Sequence, residues 1–359
     1  MFIRKKKNKS TLINGVRKTF VKIYYAFEKP YSPVPFYLNK YDKAIRPLVK
    51  TNNIIKRFYK REELVVDDYE NLESITFKSQ DGIELAGFVY TPNKESNKWL
   101  IACHWFAGHK CWALHHAKIF TKMGYNVLVF DFRGHGNSQE NSTTMGLREE
   151  YDLLAAIEWL KNNKKIDSLA LYGTSMGGYC VNYVSLKYSE ELKKLNLKFV
   201  ISDAAYGSVY RLLIHVRNIY LKIINKKKTK KIVLKIMQKH NELEQDVDFG
   251  KASVFELIKK GYKPIFPTLF FHSKDDKVTP PTDTYEYLLE RNKYIEDDYL
   301  IYSYSMHTQA IRQHFLSYNY KLASFISKMD NNKADFDRVT KEWSLVEFSD
   351  QDQDEKNSN

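Results

Sequence analysis

Short apolar runs that alternate with helical stretches are the feature that most restricts the fold of this chain. Most of the runs lack the alternation of apolar and polar residues typical of a strand with one wet face, so we expect strands buried on both faces. Strands that alternate with helices predict an α/β domain with a mostly parallel central sheet covered on both sides. The runs lie at 99–103, 125–131, 168–173, 198–203, 267–272 and 298–304, and the helical stretches at about 112–123, 146–161, 176–188 and 312–328.

Two further segments complete the predicted domain, which we place at residues 72–328. The stretch "ESITFKSQDGIELAGFVYTP" predicts a hairpin that turns at Gln80-Asp81-Gly82. The connection from Asp203 to Pro267 is too long for an ordinary α/β loop and carries apolar and basic helical sequence. A connection of this length predicts an inserted helical lid over about 206–262.

The two ends of the chain differ in charge from the middle. The formal net charge is +14, and Lys and Arg are abundant in the first sixty residues. We expect residues 1–71 to form a basic, partly helical arm with a second helix over 41–60, and the acidic residues 329–359 to be disordered. One apolar stripe in the arm has helical spacing and predicts either a helix on an anionic membrane surface or a helix packed on the domain: Leu12, Val16, Phe20, Ile23 and Phe27.

Cysteine content and the N-terminus indicate the compartment. The chain has three cysteines and no Cys-x-x-Cys pair, which favours a reducing compartment over a disulfide framework. The N-terminus lacks the apolar region of a secretory signal, and no window has the length of a membrane span. We therefore expect a cytoplasmic protein, with the inner face of the membrane as the alternative location. The lysine-rich composition throughout the chain explains the basic runs without a nucleic-acid partner.

A serine at a strand-to-helix corner is the centre of the chemistry that we predict. Ser175 lies in "YGTSMGG", directly after the apolar run 168–173. A serine hydroxyl needs a base beside it, an acid that orients the base, and donors for the oxyanion. Asp275 and Asp276 follow the run 267–272, and His307 follows the run 298–304. Nucleophile, acid and base thus follow three successive strands in the order Ser, Asp, His.

The chain resembles the α/β-hydrolase superfamily, in particular its serine-aminopeptidase-like and esterase-like branch. The resemblance spans 72–328 and rests on "QDGIELAGFVY", "HWFAGHK", "GYNVLVFDFRGHGNS", "TTMGLREEYDLLAAIEWL", "YGTSMGG", "HSKDDKVTP" and "MHTQA". It implies the α/β-hydrolase fold and a serine hydrolase with a Ser-Asp-His triad.

The resemblance also implies a role for each site residue. Ser175 is the expected nucleophile and His307 the expected base. In relatives with an Asp-Asp-x-Val sequence the first aspartate is the triad acid, which corresponds to Asp275, with Asp276 as the alternative. The expected oxyanion donors are the backbone N–H groups of Met176 and Phe106. Trp105 departs from the family, whose members usually have glycine at this position. The sequence therefore does not determine the geometry of the oxyanion loop.

The expected reaction is hydrolysis of a carboxylic ester, either an acyl lipid or a short-chain ester, through an acyl-enzyme. A serine aminopeptidase-type peptidase is the alternative, because relatives use the same triad for both reactions. A non-catalytic scaffold that associates with a membrane is the third hypothesis. We expect no cofactor and no metal, because the segment rich in Cys and His at 103–116 lacks the closely spaced pairs typical of zinc sites. The oligomeric state is left open.

Overall fold

The structure is a computed structural model, and eight strands form one sheet in the part of the chain that it describes. The strands are β1 Leu72–Lys78, β2 Glu84–Tyr90, β3 Lys98–Cys103, β4 Asn126–Phe130, β5 Ser168–Thr174, β6 Leu197–Asp203, β7 Thr268–Ser273 and β8 Asp298–Tyr302. Their order across the sheet is β1-β2-β4-β3-β5-β6-β7-β8. Strand β2 runs antiparallel to both of its neighbours, and all other neighbouring pairs are parallel.

The central strands are buried because helices cover the sheet, as the apolar runs predict. Every residue of β4, β5 and β7 is buried, and only one residue of β3 is not. The predicted hairpin is confirmed: β1 pairs antiparallel with β2, and Gly82 in the turn has a φ of 84°. The predicted fold class, a mostly parallel sheet with α-helices, is confirmed as well.

Helices connect and cover the strands. The helices in the described part of the chain are α1 Arg46–Ile54, α2 Lys110–His116, α3 Lys118–Lys122, α4 Glu149–Asn163, α5 Met176–Lys187, α6 Ser189–Lys194, α7 Val209–Tyr220, α8 Lys226–Leu243, α9 Val254–Lys259, α10 Pro281–Arg291, α11 Ala310–Gln313, α12 Phe315–Asp330 and α13 Lys333–Glu342. Helices α4 and α5 pack on each other and on the sheet, and α9 and α10 extend this group. Helices α2, α3 and α12 form a second group, and α7 and α8 pack on each other.

The structure describes residues 42–220, 225–243, 248, 250 and 252–348, and it divides the chain into two units, residues 1–50 and 51–359. The predicted apolar stripe at 12–27 lies outside the described residues and stays a prediction. Of the predicted helix over 41–60, the structure has α1, followed by a π-helical turn at Ile55–Tyr59.

The predicted start of the domain near Leu72 is wrong, because residues 51–71 belong to the same unit as the sheet. Asn52 donates from its side-chain nitrogen to the carbonyl of Val66 at 2.6 Å and accepts from the Val66 N–H at 3.1 Å. His115 Nδ1 lies 2.6 Å from the carbonyl of Leu64. The short stretch Leu64–Val66 is buried, although charged residues flank it on both sides. The composition of this segment therefore does not predict that it packs in the domain.

The predicted disorder over 329–359 is wrong for residues 329–348. Helix α13 occupies half of this stretch, and the side chain of Asn332 caps it by accepting the N–H of Asp335. The indole of Trp343 is buried and stacks on Phe315 with ring centroids 5.7 Å apart. Three apolar side chains anchor the segment despite its acidic composition, since Val339 and Leu345 are buried as well. Residues 349–359 lie outside the described residues.

The long connection between β6 and β7 contains α7, α8 and α9. It thus holds the helical insertion that the sequence predicts, while its role as a lid stays a prediction. None of the helices among the described residues has the length and apolar character needed to cross a membrane.

Candidate active site

Ser175 lies in a strained corner between β5 and α5. Its φ is 55° and its ψ is −111°, a conformation that costs a non-glycine residue about 1–3 kcal/mol. The Ser175 N–H donates to the carbonyl of Asp203 at 2.8 Å, which ties the corner to the end of β6. A Cβ at Gly173 would lie 2.1 Å from the carbonyl oxygen of Gly177, and one at Gly177 would lie 2.4 Å from that of Cys103. The two glycines therefore allow the tight approach that lifts Ser175 at the end of the strand.

His307 follows β8 and faces Ser175. Its Nε2 lies 2.9 Å from the Ser175 Oγ, and its Nδ1 lies 2.8 Å from the Asp276 Oδ2. A carboxylate accepts only, so Nδ1 carries the proton and Nε2 is free to accept the serine proton. The structure brings together the two side chains that chain order places first and last in the triad, Ser175 and His307.

The acid beside His307 is Asp276, so the preference for Asp275 is wrong. The Asp276 side chain is 1% exposed, whereas that of Asp275 is 43% exposed and pairs with Lys277. The turn after β7 causes this difference: the Asp276 N–H bonds to the carbonyl of Ser273 at 3.2 Å, and the Asp276 side chain points inward. The motif with two adjacent aspartates does not indicate which of the two side chains points inward and which points to solvent.

Asp276 is held as an ionised acceptor by four donors. Its Oδ1 accepts the N–H groups of Val278 at 2.7 Å and Thr279 at 3.0 Å, and its Oδ2 accepts the Thr279 hydroxyl at 3.0 Å and His307. Burial alone would raise the pKa of Asp276. The hydrogen bond from His307, the charges of His307 and His272, and the Val278 N–H outweigh burial and lower the pKa to about 2.

The two expected oxyanion donors lie on the elements that the sequence predicts. Met176 is the first residue of α5, and Phe106 follows β3 in the loop before α2. His104 fixes the peptide between Trp105 and Phe106: its Nδ1 lies 2.7 Å from the Trp105 carbonyl, and its Nε2 accepts the Phe132 N–H at 3.0 Å. Because a trans peptide points its N–H opposite to its C=O, the Phe106 N–H points away from His104.

The protonation state of His104 suits this arrangement. Burial lowers the pKa of His104 to about 3, so the ring is neutral and donates only from Nδ1. Sequence reasoning predicts a role for the loop but not for His104, which can be recognised only from its two bonds to backbone groups. Trp105 packs on α2, since its ring lies 5.8 Å from that of Trp112 and 5.6 Å from that of His116.

A buried polar network lies under the candidate triad. Asp203 accepts the Tyr318 hydroxyl at 2.8 Å, the Tyr318 and Tyr172 hydroxyls are 3.1 Å apart, and His116 Nδ1 lies 2.8 Å from the Tyr172 hydroxyl. Burial raises the pKa of Asp203 to about 7, although the hydrogen bonds from both tyrosines and the charge of His307 lower it. Sequence reasoning missed this network. The one feature of the sequence that points to it is Asp203, an acidic residue at the end of the apolar strand β6.

The insertion reaches the loop that carries Asp276. His215 of α7 places its Nε2 3.2 Å from the Asp276 carbonyl. Among the described residues, no group of three or more His, Cys, Asp or Glu side chains is arranged to hold a metal ion. The site itself presents a serine, an imidazole and a carboxylate in hydrogen-bonded series.

The sequence is similar to one family model and to curated proteins. The family model for serine aminopeptidase, S33, matches residues 94–254. The uncharacterized Bacillus subtilis (strain 168) protein YqkD is 26% identical over 259 residues, which cover 67% of this chain and 75% of that protein.

Solved structures show the same fold. An esterase of Pyrococcus furiosus superposes with a TM-score of 0.57 at 19% identity, covering 74% of this chain and 96% of the esterase. An acylaminoacyl peptidase of Pyrococcus horikoshii superposes with a TM-score of 0.54 at 20% identity, covering 72% of this chain and 41% of the peptidase. At these identities the structural matches establish the fold alone.

Proposed function

Taking the chain as an enzyme of the α/β-hydrolase superfamily, we propose that it is a serine hydrolase that cleaves carboxylic esters through Ser175, His307 and Asp276. One observation carries the proposal. The Ser175 Oγ lies 2.9 Å from an imidazole nitrogen whose partner nitrogen lies 2.8 Å from a buried carboxylate. These distances match the reach needed for proton transfer from nucleophile to base.

In the proposed first half-reaction, the Ser175 Oγ attacks the ester carbonyl carbon while His307 Nε2 takes the serine proton. The resulting imidazolium donates from Nδ1 to Asp276, which stays ionised because its pKa is about 2. The carbonyl oxygen becomes negative, and the N–H groups of Met176 and Phe106 stabilise it. When the tetrahedral intermediate collapses, the carbon–oxygen bond to the alcohol breaks and the alcohol takes the proton from Nε2.

In the second half-reaction, a water molecule replaces the alcohol. His307 Nε2 takes a proton from the water, whose oxygen attacks the acyl carbon, and the bond to Ser175 breaks as the serine regains the proton. The products are a carboxylic acid and free enzyme. An acyl-enzyme is therefore an obligatory intermediate of the proposal, and it provides a direct chemical test.

We propose a carboxylic ester as the substrate because the structure superposes on that of an esterase. Peptidase activity is the second candidate, favoured by the family model for serine aminopeptidase. The test is a panel of p-nitrophenyl esters of increasing chain length beside aminoacyl-arylamides, with Ser175→Ala as the control. We expect ester turnover that is lost in the variant; turnover of the arylamides alone would favour the peptidase.

We also propose that the insertion between β6 and β7 acts as a lid. The contact between His215 and the Asp276 carbonyl supports this role, since a movement of α7 would displace the backbone that carries the triad acid. A shift in chain-length preference when α7 and α8 are shortened, with retained cleavage of the shortest ester, would test it.

A further inference from the structure

Exposed apolar side chains lie on three segments, two of which carry residues of the candidate active site. Phe58 is 68% exposed, Met306 is 53% exposed and Phe106 is 41% exposed. Met306 directly precedes His307, and Phe106 carries one of the proposed oxyanion donors. Large apolar side chains that cluster in the open indicate an interaction site, whereas isolated ones do not.

Tyr59 connects these three side chains into one surface. Its ring stacks on Trp112 with centroids 5.9 Å apart, and Trp112 lies 5.8 Å from the ring of Trp105, which precedes Phe106. On the other side, the Tyr59 hydroxyl lies near the side chain of Gln309, two residues after His307. The π-helical turn Ile55–Tyr59 therefore bridges the oxyanion loop and the histidine loop through Tyr59, and the exposed Phe58 directly precedes this residue.

Arg312 completes the bridge to Met306. Its guanidinium lies 5.8 Å from the centroid of the Tyr59 ring, and its Nη2 lies 3.9 Å from the Met306 sulfur. We call the resulting surface the entrance rim and define it by Phe58, Tyr59, Phe106, Met306 and Arg312. It is continuous with the catalytic serine and histidine.

The entrance rim is basic as well as apolar. The stretch "IKRFYKR" over 55–61 has four cationic side chains and no acidic one. Lys56, Arg57 and Lys60 are exposed, and of these Lys56 pairs with Glu62 at 3.5 Å. An exposed phenylalanine between lysines and arginines matches a lipid surface, in which the ring enters the headgroup boundary and the cations meet anionic headgroups.

We propose that the entrance rim docks on an anionic phospholipid surface, so that the ester enters the active site directly from the bilayer. The occupant is a lipid surface because the rim joins exposed apolar side chains to exposed positive charge: of Lys56, Arg57 and Lys60, only Lys56 has an acidic partner among the described residues. Delivery of a lipid ester to Ser175 presupposes the proposed ester hydrolysis, whereas vesicle binding can be measured without it.

The test is sedimentation of the full-length Ser175→Ala protein with vesicles of phosphatidylcholine, with and without phosphatidylglycerol. We expect binding to the anionic vesicles that salt weakens. Adding Phe58→Ser should lower the partition coefficient about tenfold, which corresponds to about 1.4 kcal/mol. The matched control is Leu289→Ser, which removes a side chain that is 67% exposed on α10 and should leave binding unchanged.

A second pair of variants tests the charges. Arg57→Glu should lower binding about tenfold in low salt and little in high salt, because screening shortens the range of the attraction. Lys193→Glu on α6 has the same change of charge at another exposed position and should leave binding unchanged. All variants keep residues 1–50. Any vesicle binding through the basic arm would therefore be the same for every variant and could not cause a difference between them.

The outcomes separate the docking surface from the proposed function. Equal vesicle binding by the Phe58→Ser and Leu289→Ser proteins would overturn the docking surface while leaving soluble-ester hydrolysis in place. Vesicle binding that requires Phe58, together with no turnover of any ester by wild type, would retain the surface and reject the function. Concentration-dependent dimerisation that Phe58→Ser abolishes, without vesicle binding, would assign the rim to self-association and overturn the lipid surface.

Discussion

Replacing Asp276 by asparagine should inactivate the enzyme without unfolding it. Both oxygens of Asp276 accept hydrogen bonds, Oδ2 from His307 and the Thr279 hydroxyl, and Oδ1 from two backbone N–H groups. An amide NH₂ placed at Oδ2 would face the Nδ1 proton of His307 and favour the tautomer with the proton on Nε2. The same NH₂ placed at Oδ1 would face the N–H groups of Val278 and Thr279.

Both orientations of the asparagine amide are unfavourable, and the orientation with NH₂ toward His307 explains the loss of activity that we expect. With the proton on Nε2, His307 can no longer accept the Ser175 proton, and we expect kcat to fall at least about 10³-fold, equivalent to about 4 kcal/mol in activation free energy. The matched control is Asp275→Asn. Its carboxylate is 43% exposed and pairs with Lys277 at the surface, so this variant should stay within about twofold of wild type.

The assay is steady-state hydrolysis of a soluble p-nitrophenyl ester, with circular dichroism to show that both variants are folded. An active Asp276→Asn protein beside an inactive Asp275→Asn protein would refute the assignment of the acid. Equal and small losses in both would show that His307 works without a carboxylate partner.

Two further predictions concern stability. Trp343→Ala should lower the free energy of unfolding by about 3 kcal/mol, because the indole is buried against Phe315, whereas the exposed Lys341→Ala should have little effect in the same urea titration; an unchanged midpoint for both would mean that α13 adds nothing to the fold. For Asp203, burial raises the pKa to about 7, above the value of about 3.9 expected in the unfolded chain, so the folded state keeps a proton that the unfolded state loses. Stability should therefore decline as the pH rises from about 4 to about 7, and Asp203→Asn should remove that decline; parallel curves of melting temperature against pH for the two proteins would contradict it.

The sequence is most informative where periodicity and chain order act together. Apolar runs buried on both faces predict the parallel strands, because helices on both sides of the sheet exclude polar residues from them. The corner at Ser175 and the position of His307 after β8 also follow, since parallel strands end at the same edge of the sheet. The structure brings these two side chains within 2.9 Å.

Contacts between distant segments are what the sequence does not reveal. The difference between Asp275 and Asp276 depends on the direction of one turn, in which adjacent carboxylates point to opposite sides. Residues 51–71 and α13 look too charged to pack, yet a few apolar side chains, among them Leu64 and Trp343, secure them. The link from Tyr59 to Trp112 joins positions 53 residues apart, and no local pattern predicts it.

The central claim is that Ser175 is the nucleophile, and labelling with a fluorophosphonate followed by mass spectrometry of the peptides tests it most directly. The reagent forms a stable bond only to a serine whose proton a neighbouring base removes. We expect one adduct on the wild-type protein, on the peptide that contains Ser175, and no adduct on folded Ser175→Ala. An adduct of equal yield on both proteins, or an adduct on another serine, would contradict the account.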